Sequence, residues 1–174
     1  MDWDASDTLD RAVVVALGGN LAGDYGSPKA AQEAALALFA DAGLMIVKRS
    51  SWWRSASWPD PSLPDYLNAV VLVETSLDPS QTLEVLHAVE VCFGRRRDLA
   101  NAPRVLDLDL IAHGRTVTGE GEAMVLPHPR AAERLFVMGP LSEIAPGWRH
   151  PVLGETATQL ATAARVGKDA APSL

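Results

Sequence analysis

A single cysteine, Cys92, stands in these 174 residues, so no disulfide can form within the chain and a reducing compartment suits it. Cys92 falls in an apolar helical run before a glycine, where packing in or near the core is its expected role. No apolar run approaches the roughly 20 residues that span a bilayer. The acidic start, MDWDASDTLD, is the opposite of a secretory or mitochondrial presequence, and the cytoplasm is the expected location. Basic residues are in the minority, 15 against 22 acidic, for a net charge of -7. That balance argues against a general nucleic-acid binder and leaves any local basic cluster conspicuous. Also missing are a Walker A motif, a G-x-G-x-x-G fingerprint and a zinc-ligand cluster. A phosphate-handling protein built on this chain must therefore use side-chain charge.

What is present describes a folded domain: 48% hydrophobic and 21% charged residues, with a mean hydropathy of +0.05. The expected organisation is a flexible leader over residues 1–11, one domain over 12–166 and a flexible tail over 167–174. Residues 13–17 form a short apolar strand ending in the turn signal Gly18, Gly19, Asn20. Pro28 opens a helix reaching about Asp41, with Gly43 closing it. Residues 44–54 read as one strand, and 55–65, with three prolines, only as a loop. Residues 66–75 are a strand rich in β-branched bulk. Asp78 and Pro79 cap a helix that continues to about Phe93. After a basic loop, the strand 104–111, a hairpin-like segment and Pro127-His128-Pro129, a helix is expected through about Met138, then another over 154–165. Strand, helix, strand, strand, helix, strand makes two β-α-β units. The expected fold is α/β (α+β): a ferredoxin-like antiparallel sheet with helices packed on one face, plus a C-terminal extension.

The segment RVLDLDLI, residues 104–111, carries the most chemistry. Strand alternation turns Leu106, Leu108 and Leu110 one way and Asp107 and Asp109 the other. Two carboxylates so close repel unless a cation lies between them or one keeps its proton. Hard divalent metals, Mg²⁺ above all, suit such oxygen ligands together with substrate phosphates. Arg95, Arg96 and Arg97 follow Gly94, and Arg104 precedes the aspartates, enough guanidinium charge to neutralise a polyphosphate. The bland alternatives are a solvated strand face and a solvated basic loop.

Further candidates are single residues. His128, held between Pro127 and Pro129, could donate to a phosphate oxygen or be a turn histidine. Arg130 and Arg134, four apart, share a face of the expected helix. Phe136 is either core or a stacking platform. Asn68, polar in an apolar strand, has the paired donor and acceptor that suit a heterocycle edge, and Glu90 is equally ambiguous on its helix. Of Trp52, Trp53 and Trp58, at least one should be core and another could cap a pocket.

Six motifs in order resemble one family: ALGGNL at 16–21, PDYLNAVV at 64–71, FGR at 93–95, PRVLDLDLI at 103–111, LPHPR at 126–130 and ERLFVMGPLSEIAP at 133–146. The chain resembles 6-hydroxymethyl-7,8-dihydropterin pyrophosphokinase (2-amino-4-hydroxy-6-hydroxymethyldihydropteridine diphosphokinase), an enzyme of folate biosynthesis. The resemblance implies that ATP's terminal two phosphates move as a unit to the 6-hydroxymethyl group, leaving AMP. It implies two Mg²⁺ ions on Asp107 and Asp109, and phosphate contacts from Arg95, Arg104 and Arg97. By the same resemblance His128 and Arg134 lie along ATP, and His87 and Glu90 contribute on the nucleotide side. Asn68 would read the pterin, Tyr66 would line its pocket and Phe136 would stack on one face, leaving the second face open or covered by Trp58 or another aromatic. ATP and the dihydropterin are the expected partners of a monomer that needs neither nucleic acid nor membrane.

Three positions depart from the family's pattern. Ala100, Asn101 and Ala102 stand where Arg-Trp is common, Pro129 where tyrosine is common, and Ala123 near a frequent arginine. Loss of one stacking face should weaken pterin binding by roughly 1–3 kcal/mol rather than abolish chemistry. The competing expectations are a relative that binds nucleotide or pterin without turnover, and an RNA-binding module, which would need a basic sheet face with exposed aromatics.

Overall fold

Alternation along the first strand sets the architecture. In the computed structural model, which describes residues 2–94 and 103–173, strand β1 (Val13–Gly19) divides its side chains between two cores. Val13, Val15 and Leu17 join one buried cluster, Val14 and Ala16 the other.

A one-turn helix α1 (Ser6–Leu9) precedes β1. After it come α2 (Pro28–Ala37), β2 (Met45–Arg49), β3 (Trp53–Ser55), β4 (Tyr66–Glu74), α3 (Pro79–Cys92) and β5 (Asp107–His113). The described chain closes with α4 (Leu135–Ile144), α5 (Ala157–Ala163) and a two-residue β6 (Ala171–Pro172). Sheet order is β5-β1-β4-β3-β6, with β2 also on β4 and every pairing antiparallel. Because β2 and β3 occupy the same edge of β4, they count as one interrupted strand, and the order is the ferredoxin-like one.

Both crossover helices are started by their caps. Ser27 Oγ accepts from Ala30 N–H ahead of Pro28, and Asp78 and Gln81 form a reciprocal capping box around Pro79. Ala35 and Leu36 from α2 and Leu86 and Val89 from α3 close the first cluster over one sheet face. The opposite face is covered by α4 and α5 through Val137, Met138, Leu141 and Leu160, with fully buried Trp148 between the two helices in sequence. The crossover helices share one face as expected, and the extension adds a layer on the other.

Several local expectations need correction. The strand expected over 44–54 breaks at residues 50–52. Ser50 Oγ takes the N–H of Val70 at 3.0 Å, so a side chain replaces a ladder carbonyl and the strand bends there. Helix α2 stops at Ala37, then turns to Gly43, whose φ of +86° suits glycine. Cys92 is exposed rather than packed, because α3 buries Thr82, Leu86, Val89 and Glu90 and Cys92 falls off that stripe. Arg130 and Arg134 do not share a helix face. A 3-10 turn (Ala131–Glu133) follows Arg130, and Arg134 is extended, with φ −101° and ψ 113°, before α4 begins. The last helix is shorter than expected. Within the tail expected over 167–174, Ala171 and Pro172 form β6 and pair with Arg54 and Trp53 of β3. Among the described residues, no helix is long and apolar enough to cross a membrane.

Candidate active site

Cross-strand register builds the site. Gly18 on β1 stands opposite Asn68 of β4 on one side and Asp107 of β5 on the other. In the next row on that face, Ala16 stands between Val70 and Asp109. Glycine and alanine therefore leave an open floor between an amide and two carboxylates, while Leu106, Leu108 and Leu110 sit in the core on the opposite face. A cavity of about 270 Å³ rests on this floor, walled by Tyr66, Arg104, Arg134, Phe136 and Trp58.

Each wall has a physical anchor. Asn68 is buried, and its Nδ2 donates to Ser55 Oγ at 2.9 Å, which holds Oδ1 over Gly18. Burial raises the Tyr66 phenol above its ordinary value; the Arg104 charge opposes this and Asp107 adds to it, so Tyr66 stays protonated. Arg104 Nη1 donates to Asp107 Oδ2 at 3.2 Å. Phe136 carries the Arg134 guanidinium 5.6 Å from its ring centroid. Trp58 is 75% exposed at the cavity mouth. The two tryptophans before the proline loop are structural: Trp52 packs partly buried against the first core cluster, and Trp53 lies against Gly139 of α4.

Two residues passed over as a turn signal position Arg104. A Cβ on Gly19 would stand 2.2 Å from the carbonyl oxygen of Val105, so only glycine lets the chain entering β5 approach this closely. Asn20, 2% exposed, then clamps it. Its Oδ1 accepts from Arg104 N–H at 3.0 Å, and its Nδ2 donates to Ser57 Oγ and Pro64 O, both at 3.2 Å. The backbone N–H groups of Asn20 and Leu21 both donate to Arg104 O. The signal for this strut was an asparagine after two glycines, which alone cannot be told from an ordinary turn.

A second cavity of about 260 Å³ lies along β5 and is lined by His87, Glu90, His128 and residues 123–126. Asp109 borders both cavities. Glu90 Oε1 accepts from Leu108 N–H at 2.8 Å, fixing the backbone between the two aspartates. His128 Nδ1 accepts from Arg130 N–H at 3.2 Å, which leaves Nε2 as the protonated nitrogen of the neutral ring. Burial, then the charges of Arg134 and Arg130, hold its pKa below the ordinary histidine value. Ala123 and Pro129, two of the departures, line this second cavity. Arg95 and Arg97, with Ala100, Asn101 and Ala102, lie outside the described residues.

The description of one family, 7,8-dihydro-6-hydroxymethylpterin-pyrophosphokinase (HPPK), matches residues 14–146. The chain belongs to that family. It is 43% identical over 150 residues to a 2-amino-4-hydroxy-6-hydroxymethyldihydropteridine pyrophosphokinase of a Synechocystis species, covering 86% of this chain and 74% of the relative. A Bacillus subtilis protein of the same name is 34% identical over 136 residues, with 78% and 79% covered. Among solved structures, a Plasmodium falciparum HPPK-DHPS triple mutant superposes with a TM-score of 0.68 at 14% identity. That likeness covers 92% of this chain but 47% of the longer one, and it shows the shared fold.

The donor set fits the metal that the family implies. Asp107 and Asp109 offer hard oxygen ligands side by side on the cavity floor, the pattern of a Mg²⁺ site completed by phosphates and water. Among the described residues, no cluster of three or more His, Cys, Asp or Glu forms an all-protein cage.

Proposed function

We propose that this chain transfers the terminal pyrophosphoryl group of ATP to the hydroxymethyl oxygen of 6-hydroxymethyl-7,8-dihydropterin, releasing AMP, with the pterin in the first cavity and the nucleotide along the second. The observation that carries this reading is the pair of carboxylates on the floor of the first cavity, of which Asp109 also borders the second. A new bond forms between the acceptor oxygen and the β-phosphorus, the bond from that phosphorus to AMP breaks, and the hydroxyl proton leaves to solvent. No covalent enzyme intermediate is required, because the acceptor hydroxyl is itself the nucleophile.

Asp107 and Asp109 would hold Mg²⁺, which when bound supplies charge neutralisation of the phosphates and polarises the acceptor oxygen. Arg104, already oriented beside Asp107, binds phosphate oxygens and offsets developing charge. Arg95, in the FGR motif, is assigned the same task by the family resemblance, with Arg97 two residues on helping it. Neutral His128 donates from Nε2, and Arg134, on the wall of the first cavity, adds a guanidinium. Asn68 Oδ1, its amide group locked by Ser55, accepts from an N–H on the pterin edge. Phe136 stacks on the ring, Tyr66 lines its pocket and Trp58 borders the mouth. His87 faces the nucleotide, and Glu90 acts through β5 by holding Leu108 N–H. We take the working form to be a cytoplasmic monomer that uses two Mg²⁺ ions.

³¹P NMR of the protein with ATP, Mg²⁺ and the dihydropterin tests the reading. AMP and a pterin diphosphate should appear in equal amounts, and Asp107→Asn should lose both by at least a thousandfold. Binding of ATP or pterin with no AMP formed would replace the enzyme with a binding-only relative.

A further inference from the structure

Beyond Pro146, where the family match ends, the chain returns to the first cavity and crosses beside it. Arg165 and Val166 N–H donate to Glu133 O at 3.0 and 2.9 Å, and Leu135 N–H donates to Val166 O at 2.9 Å. The segment is thus zipped to the residues on both sides of Arg134. Val166 itself lines the cavity. One residue on, Gly167 lies flat against Phe136: its φ is +66°, and a Cβ there would stand 2.4 Å from Phe136 Cδ1.

The far end is tied to the opposite wall. Asp169 Oδ2 accepts from Ala56 N–H at 2.6 Å, beside Ser55, which holds Asn68. Ala171 and Pro172 then pair with Arg54 and Trp53. Ser173 N–H donates to Trp52 O at 2.7 Å, and Arg54 Nε donates to Ser173 Oγ at 3.0 Å. The two anchored ends therefore join the wall that carries Phe136 to the wall that carries Ser55 and Asn68. What the segment presents to the cavity is the apolar side chain of Val166, not charge, while Gly167 backs the Phe136 ring. That chemistry suits the flank of a flat heterocycle and ignores phosphate.

We infer that residues 165–173 are a substrate-positioning strap, which sets the separation of Phe136 from the Ser55 and Asn68 wall and so tunes the cavity to the dihydropterin ring. The inference rests on the dihydropterin reading of that cavity. Gly167 positions the Phe136 ring, and Asp169 positions Ala56 and its neighbour; neither residue is assigned to the reacting atoms.

Steady-state kinetics and direct dihydropterin titration, on the full chain, test this with Gly167→Ala, Asp169→Ala and Asp169→Asn. Gly167→Ala and Asp169→Ala should raise the KM and the Kd for dihydropterin about tenfold, the scale of a disturbed stacking contact. The KM for ATP and kcat should stay within about twofold, a split that general loss of folding would not produce. Asp169→Asn keeps an oxygen acceptor for Ala56 N–H and should recover most of the affinity. Lys168→Ala, exposed on the same segment, should match the wild type. If Gly167→Ala unfolds, the pair at Asp169 decides. An active wild type with an unchanged dihydropterin KM in the alanine variants would overturn the strap alone. A wild type that neither binds nor converts dihydropterin would overturn the cavity reading and the strap's role together.

Discussion

Replacing Asn20 by alanine should cost both stability and catalysis, for separable reasons. The side chain makes three hydrogen bonds in a buried setting: one from Arg104 N–H, one to Ser57 Oγ and one to Pro64 O. Pro64 O keeps the Ser57 hydroxyl as a donor in the variant, so the orphaned group is Arg104 N–H. An unsatisfied buried donor costs about 1–3 kcal/mol, and each lost neutral bond adds about 0.5–1.5 kcal/mol. A total near 3 kcal/mol follows. At about 2–4 °C per kcal/mol for a domain of this size, the melting temperature should fall by roughly 6–12 °C. The catalytic loss has another origin: Arg104 would keep the backbone bonds at its carbonyl but lose the one at its N–H, freeing its guanidinium from a fixed position beside Asp107. At 25 °C, where both proteins are folded, kcat/KM should drop at least about tenfold. Ser57→Ala is the contrast, since it leaves the bond between Asn20 and Arg104 intact. It should cost about 1 kcal/mol and little activity. Thermal scans paired with AMP release at 25 °C measure both. A melting temperature within about 2 °C of wild type, or unchanged kcat/KM, would refute the strut.

Gly18→Val should separate fold from function in the opposite sense. A β-branched residue suits an extended strand and gains up to about 1 kcal/mol over glycine, yet its methyl groups would fill the floor between Asn68 and Asp107. Calorimetry should show dihydropterin affinity falling more than tenfold with the fold intact, and retained affinity would mean that the cavity is not the pterin site. Glu143 makes the stability depend on acid. Burial pushes its carboxyl up, but hydrogen bonds from Ser51 N–H, Ser51 Oγ and Trp53 Nε1 outweigh it and leave the pKa below the ordinary 4.5. Its contribution is therefore complete above the unfolded value and is lost as pH falls through the lower folded one. Urea midpoints of wild type and Glu143→Gln should differ by a constant amount above the unfolded value and draw together as the pH falls through the lower folded one; a gap that widened toward acid would refute the assignment.

Much of the fold is legible because local signals agree with the global answer. Ser27 with Pro28, and Asp78 with Pro79 and Gln81, start helices by capping rules that need no tertiary knowledge. The alternation of RVLDLDLI puts its leucines in the core and its aspartates on the other face for the same reason. Misreadings arose where a distant partner overrides a local pattern. Ser50 bends a strand because Val70 lies opposite, and Arg134 is extended because residues 165 and 166 pair beside it. Glu90 is ambiguous along α3 and explicit only once Leu108 is placed beside it.

The site's floor shows why the second kind of information is the harder to read. Asp107 and Asp109 are informative within their own strand, but a pair of carboxylates on a strand makes no cavity. The cavity exists because the strand beside them carries Ala16 and Gly18 in the same rows, and the next strand carries Asn68. A register shift of one residue between β1 and β5 would place Leu17 between the rows and close the floor. Register is fixed by the opposite face, where Val13, Val15 and Leu17 must meet Leu108 and Leu110 in the core. The packing that stabilises one side of the sheet is therefore what aligns the small residues, the carboxylates and the amide on the other.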